Sequence, residues 1–183
     1  MTDTKKLIYC ALFTALISVG AFIKIPVPYL DYFTAQFFFV ILAGIVLGPK
    51  LGAQAVAIYV ILGLAGLPIF AAGGGVTYVF RPSFGYLLGF IATAFVVGYV
   101  CSFKRNQSFK YYLLAAFCGL ITTYAIGLTY KYLILYFYLQ TPVPWSVLVL
   151  SCFPLDIPGD LILCFAAALI GLKLNKSRLI NVT

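Results

Sequence analysis

The chain has 183 residues, of which 64% are hydrophobic, 17% aromatic and only 9% charged, with a net charge of +8. A soluble domain with so little charge would be covered by one apolar patch, so composition excludes that class and places the chain in a membrane. It has no His and no Glu, and its acids are Asp3, Asp31, Asp156 and Asp160. A Ser–His dyad, an H-E-x-x-H zinc site and a Glu general base are thereby excluded.

Apolar runs of about 20 residues cross a hydrocarbon core of roughly 30 Å. Strand alternation is absent, so helices rather than a barrel are expected to satisfy the backbone. The expected fold is an all-α integral membrane protein, a six-transmembrane-helix bundle forming one multi-pass domain of the cell membrane. The cysteines, Cys10, Cys101, Cys118, Cys152 and Cys164, are scattered without a C-x-x-C pair and read as small packing residues. No metal site and no cofactor is expected.

Lys5 and Lys6 before an apolar run mimic a signal peptide, but no polar mature domain follows, so residues 7–23 read as a first transmembrane helix. Cys10 precedes its apolar run and is not placed as a lipoprotein cysteine would be. Pro26 and Pro28 stop the first helix. A second helix is expected from about residue 33 to the tight turn Gly48-Pro49-Lys50, and a third over 51–67, stopped by Pro68. The loop 66–83 carries the Gly73-Gly74-Gly75 run and Arg81, and is expected to cover a small-molecule site. A fourth helix covers 84–103 and is closed by Lys104 and Arg105. A fifth runs over 109–139, roughly 46 Å, which overshoots the bilayer and should tilt, protrude or break near Gly127. Residues 145–153 read as a short interfacial helix anchored by Trp145, and 158–174 as the sixth span.

Six spans put both termini on one side. Lys5, Lys6, Lys50, Lys104, Arg105, Lys110, Lys173, Lys176 and Arg178 all fall on that side, so the positive-inside rule makes the termini cytoplasmic. Lys24, Arg81, Lys131, Asp31, Asp156 and Asp160 fall near the outer side, where the longer loops are. That side is expected to hold a polar pocket, with interfacial snorkelling the alternative for Lys24 and Asp31. Small residues recur at four-residue spacing: Ala11 and Ala15, Gly44 and Gly48, Gly85 and Gly89, and Ala115, Gly119, Thr123 and Gly127. They allow close helix approach. The first pair faces either the bundle or a partner protein; the others suit internal packing.

Asp160, in Pro158-Gly159-Asp160, is the sharpest single candidate. A carboxylate there is either a helix cap or, because acids inside a membrane are costly, a ligand group. Asp156 reads as a more superficial loop or cap residue. Arg81 suits a carboxylate or phosphate, with a headgroup anchor as the alternative. Lys131 is a second candidate cation, and Gln36 a neutral polar group within an apolar run. Tyr86, Tyr124 and Gly74 complete the candidate binding set. The run from Gly44 to Lys50 lacks the spacing of a phosphate-binding loop, so any ATP must be hydrolysed by another chain. The topology accounts for the positive charge, and no nucleic acid is implied.

The stretches ALFTALISVGAFIKIPVP, FTAQFFFVILAGIVLGPKLGA, YVILGLAGLPIFAAGGG, RPSFGYLLGF and PGDLI together resemble the BioY family, the biotin-specific S components of energy-coupling factor (ECF) transporters. The resemblance covers about residues 8–90 and 154–170. It implies a subunit, not an enzyme, that binds biotin on its outer side. It also implies a transmembrane T component and two ATPases as partners, met through Ala11 and Ala15. The family's PGD acid, here Asp160, belongs to the binding pocket. Family members commonly carry Lys three residues after it, where this chain has Leu163. Lys131 or Arg81 then compensates, or binding is altered. The alternatives are an S component for another vitamin, a solitary membrane facilitator, and an integral membrane enzyme acting on lipid through Asp156 and Asp160.

Overall fold

Apolar runs fold as helices here because a helix satisfies its own backbone groups where water is absent. The computed structural model describes residues 3–27, 30–103, 108–152 and 156–176. Helix α1 spans Asp3–Phe22, α2 Gln36–Leu64, α3 Phe84–Ser102, α4 Phe109–Leu133, α5 Trp145–Ser151 and α6 Asp156–Lys176. Among the described residues, five helices are long and apolar enough to cross a membrane.

The 29 residues of α2 are not one rod. Gly48 has φ 76° and ψ −175°, outside the helical region, and Pro49 follows it. Glycine takes a positive φ without a Cβ clash, and proline contributes no N–H to continue the ladder. The arms 36–47 and 49–64 fold back on each other. Gly52 lies against the Ala43 carbonyl, and Gln36 Nε2 stands 2.7 Å from the Tyr59 hydroxyl. A straight helix would separate those two residues by roughly 34 Å. The turn expected at Gly48-Pro49-Lys50 is therefore where the chain reverses.

Several boundaries differ from the sequence expectation. The second helix starts at Gln36 rather than near residue 33, because the chain before it pairs as an antiparallel hairpin, β1 Lys24–Val27 and β2 Leu30–Thr34. Only four or five residues long and without alternation, these strands left no readable pattern. Pro26 is tolerated because a two-stranded ribbon has open edges. The third helix ends at Leu64, and Pro68 lies beyond it in the loop. The fifth span does not break at Gly127; α4 runs through it and loosens only at Ile134–Tyr138, a π-helical turn.

Small residues mediate the helix contacts. Gly44 of α2 packs on the Ala94 backbone of α3, Gly89 of α3 on Thr123 of α4, and Gly127 of α4 on the ring of Tyr86. Ala11 and Ala15 instead are exposed, and they line an apolar groove between α1 and the second arm of α2.

The two ends of the bundle differ. Cys10 of α1 reaches the Leu51 carbonyl, Gly98 of α3 meets Pro49, and Gly171 of α6 meets Ile45 and Tyr112. These contacts gather Lys5, Lys6, Lys50, Lys110 and Lys173 at one end. Lys104, Arg105 and Arg178 lie outside the described residues. The hairpin, the 66–83 loop, α5 and the start of α6 occupy the other end.

Candidate functional site

A cavity of about 580 Å³ lies within that second end, inside the size range of small-molecule sites. Its floor is apolar: Phe37, Leu87 and Phe90, with the Phe37 and Phe90 rings 6.1 Å apart. Its polar side chains fall into two groups, or walls.

The first wall is made by α4 and α6. Pro158 sits in the first turn of α6, where a missing N–H costs nothing. Gly159 has no side chain because the Phe33 ring of β2 fills that space. Asp160, in the second turn, is 9% exposed and accepts a 2.8 Å hydrogen bond from the Tyr124 hydroxyl of α4. Its carboxylate is thus engaged across the bundle and lines the cavity rather than capping its own helix. Asp156, one turn earlier, lines the same space, so it is part of the wall rather than a superficial loop residue. Lys131 of α4 is buried, also lines the cavity, and lies within electrostatic range of Asp156. The Tyr86 ring meets Tyr124 edge-on at 6.0 Å, and its hydroxyl lies 3.6 Å from Cys152 Sγ.

The second wall is neutral. Thr34 Oγ1 donates to Gln36 Oε1 at 3.2 Å. Gln36 Nε2 donates to the Tyr59 hydroxyl at 2.7 Å, and Tyr59 donates to the Ile69 carbonyl at 3.0 Å. Gln36 is 3% exposed and Tyr59 fully buried.

The 66–83 loop contributes Ala71, Tyr78, Pro82 and Ser83 to the cavity. It is tied down along its length. Lys24 of β1 donates to the Ala71 carbonyl at 2.6 Å and lies over the Tyr32 ring, which ties it to the loop. Gly75 N–H bonds the Gly63 carbonyl at 2.8 Å, the Tyr130 hydroxyl bonds the Val79 carbonyl, and Phe80 stacks on Tyr138. Ser83 carries a buried hydroxyl oxygen without a hydrogen-bond partner among the described residues.

Of the sequence candidates, Gln36, Tyr86, Tyr124, Lys131 and Asp160 converge on this cavity. Two do not line it. Gly74 is exposed, and a side chain there would strike the Leu67 carbonyl, so its role is to let the loop turn. Arg81 is exposed, its guanidinium 5.4 Å from the centre of the Tyr78 ring. Leu163 packs against the core instead of lining the cavity. Sequence reasoning missed Tyr59, which nothing distinguishes among 14 tyrosines. Among the described residues no cluster of metal ligands is present.

Comparison with known proteins agrees with this architecture. The chain is 43% identical over 174 residues to a probable biotin transporter BioY from Lysinibacillus sphaericus, covering 95% of this chain and 88% of the relative. It is 42% identical over 183 residues to the biotin transporter BioY of Thermotoga maritima, covering 94% and 96%. A crystal structure of the S-component for biotin from an ECF-type ABC transporter superposes with a TM-score of 0.73 at 29% identity, covering 96% of this chain and 95% of that one. The model of the BioY family matches residues 1–179, and this multi-pass membrane chain belongs to that family.

Proposed function

We propose that this protein is the biotin-binding S component of an ATP-driven ECF importer, and that the cavity between the Asp160 and Gln36 walls is its biotin site. The observation that carries the reading is the convergence of the Asp160 and Asp156 carboxylates, one amide and one buried cation on a cavity with apolar rings at Phe37 and Phe90. Biotin needs those groups. Its ureido N–H atoms call for an acceptor, which Asp160 supplies. Its ureido oxygen calls for a donor, and Gln36 carries a second amide hydrogen beyond the one used on Tyr59. Its carboxylate pairs with Lys131, which takes the place of the cation missing at Leu163. Its sulfur ring and aliphatic chain lie against Phe37, Leu87 and Phe90. A ligand that leaves these buried groups unpaired is rejected, and that is the source of vitamin specificity.

The bundle crosses the membrane six times, the two arms of α2 counting separately, with the lysine-rich end and both termini cytoplasmic. The 66–83 loop covers the outward-facing site. The exposed Ala11 and Ala15 groove is the face for a T component, which carries two ATPases. Small residues suit such a contact because they allow close approach.

Calorimetry on the purified, detergent-solubilised protein tests the reading, with thiamine and riboflavin as comparison ligands. Tight one-to-one binding of biotin alone is expected. No biotin binding by folded protein overturns the assignment, and tight binding of another vitamin transfers it to that vitamin. Uptake in cells is expected only when a T component and ATPases are co-expressed; full uptake without them identifies a solitary facilitator instead.

A further inference from the structure

The second wall contains a chain of directed hydrogen bonds whose direction is set from the loop. A carbonyl only accepts, so the Tyr59 hydroxyl must donate to Ile69. Its hydrogen is then used, and toward Gln36 it can only accept. Gln36 must therefore present its NH₂ group to Tyr59, which turns its carbonyl oxygen to the Thr34 hydroxyl. The orientation of an amide that lines the cavity is dictated by a backbone carbonyl of the loop that roofs it. Tyr59 also meets Phe70 edge-on, with ring centroids 5.4 Å apart, and Phe70 packs at 4.6 Å on Tyr78, which lines the cavity. Tyr59 is thus hydrogen-bonded both to a cavity wall and to the loop.

We propose that Tyr59 is a positioning residue that fixes the Gln36 amide for ligand and couples occupancy of the cavity to the anchoring of the 66–83 loop at Ile69. Chained hydrogen bonds polarise one another. A ligand bonded to Gln36 therefore strengthens the Tyr59 bond to the loop, and a loosened loop weakens the hold on ligand. The coupling to ligand rests on the biotin reading above; the relay itself does not.

The experiment compares Tyr59→Phe, Gln36→Leu and the double variant in detergent, by biotin calorimetry and by amide exchange of a peptide over residues 67–75. Phe keeps the ring that packs on Phe70 and removes only the hydroxyl. Affinity for biotin is expected to fall roughly 3- to 10-fold in Tyr59→Phe, the scale of one neutral hydrogen bond. The double variant should bind no more weakly than Gln36→Leu, because Tyr59 acts through Gln36. Ligand-free exchange over 67–75 should rise in both single variants, although Gln36 makes no described hydrogen bond to the loop. Biotin should protect that peptide in the parent and less in Tyr59→Phe. Multiplicative losses in the double variant, or unchanged exchange in Gln36→Leu, overturn the proposal. If the parent binds no biotin, the ligand assignment falls, and ligand-free exchange alone decides whether the relay operates. Should Tyr59→Phe fail to fold, the exchange of Gln36→Leu still decides it.

Discussion

The two polar walls of the cavity are built on opposite plans. In the Gln36 wall the described hydrogen bonds run from Thr34 to the Ile69 carbonyl without a break, and every group is neutral. In the Asp160 wall a buried carboxylate accepts one described bond, from Tyr124, although a carboxylate has room for about four. The first wall is organised before ligand arrives; the second holds accepting capacity that no other described protein group uses. Neutral hydrogen bonds exchanged with water contribute about 1 kcal/mol, and bonds to a charged group about 1.5–3. The charged wall should therefore set affinity and the neutral wall orientation.

Asp160→Ala breaks that contrast most directly. Biotin affinity is expected to fall by roughly 100-fold or more, because two ureido N–H groups lose a charged acceptor. Calorimetry beside a melting curve separates this from unfolding. A loss below about threefold, the size of a single weak neutral bond, would mean that ligand does not use this wall.

Lys131→Met keeps most of the length of the side chain and removes its charge. A loss of roughly 10- to 30-fold for biotin is expected, the lower end of the scale for one hydrogen bond to a charged group. The sharper measurement uses biotinamide, which lacks the carboxylate. That ligand should bind parent and variant alike, and a variant that discriminates equally against both places the carboxylate elsewhere.

Much of this arrangement was legible in the sequence, for physical reasons that differ by element. The apolar runs and the lysines at their ends gave helices and the lysine-rich end, because a membrane punishes exposed backbone and displaced charge. Asp160 stood out because an acid next to an apolar run is costly. The turn at Gly48 was readable because glycine before proline leaves few conformations. What was not legible depends on contacts distant in sequence. Gln36 and Tyr59 meet only because the chain reverses at Gly48. Asp156 looked superficial because the 156–176 helix begins two residues earlier than Pro158 suggests, which puts Asp156 and Asp160 on one face. The β-hairpin is too short for a periodicity to register, and the exposed Arg81 lies by the Tyr78 ring, a contact no spacing announces.

Tyr124→Phe probes the charged wall without discharging it. Its hydroxyl is the described partner that aims the Asp160 carboxylate. The expected loss is about 3- to 10-fold, one hydrogen bond to a charged group discounted because ligand N–H groups then compete for the freed lone pair. A loss as large as that of Asp160→Ala would mean that the hydroxyl itself touches ligand.

Arg81→Ala should matter least. Arg81 is exposed and contacts the Tyr78 ring, and an exposed cation–π contact contributes about 0.5–1 kcal/mol. Tyr78 in turn lines the cavity from the roof, so the effect reaches ligand only through the seating of that ring. A loss of no more than about 3- to 5-fold in biotin affinity is expected, with biotinamide affected equally, since the guanidinium does not face the carboxylate. A selective loss for biotin comparable to that of Lys131→Met would move the carboxylate from the buried wall to the rim. The roof would then be the charged partner of the ligand, and the contrast between a neutral organising wall and a charged binding wall would have to be redrawn between the roof and the floor.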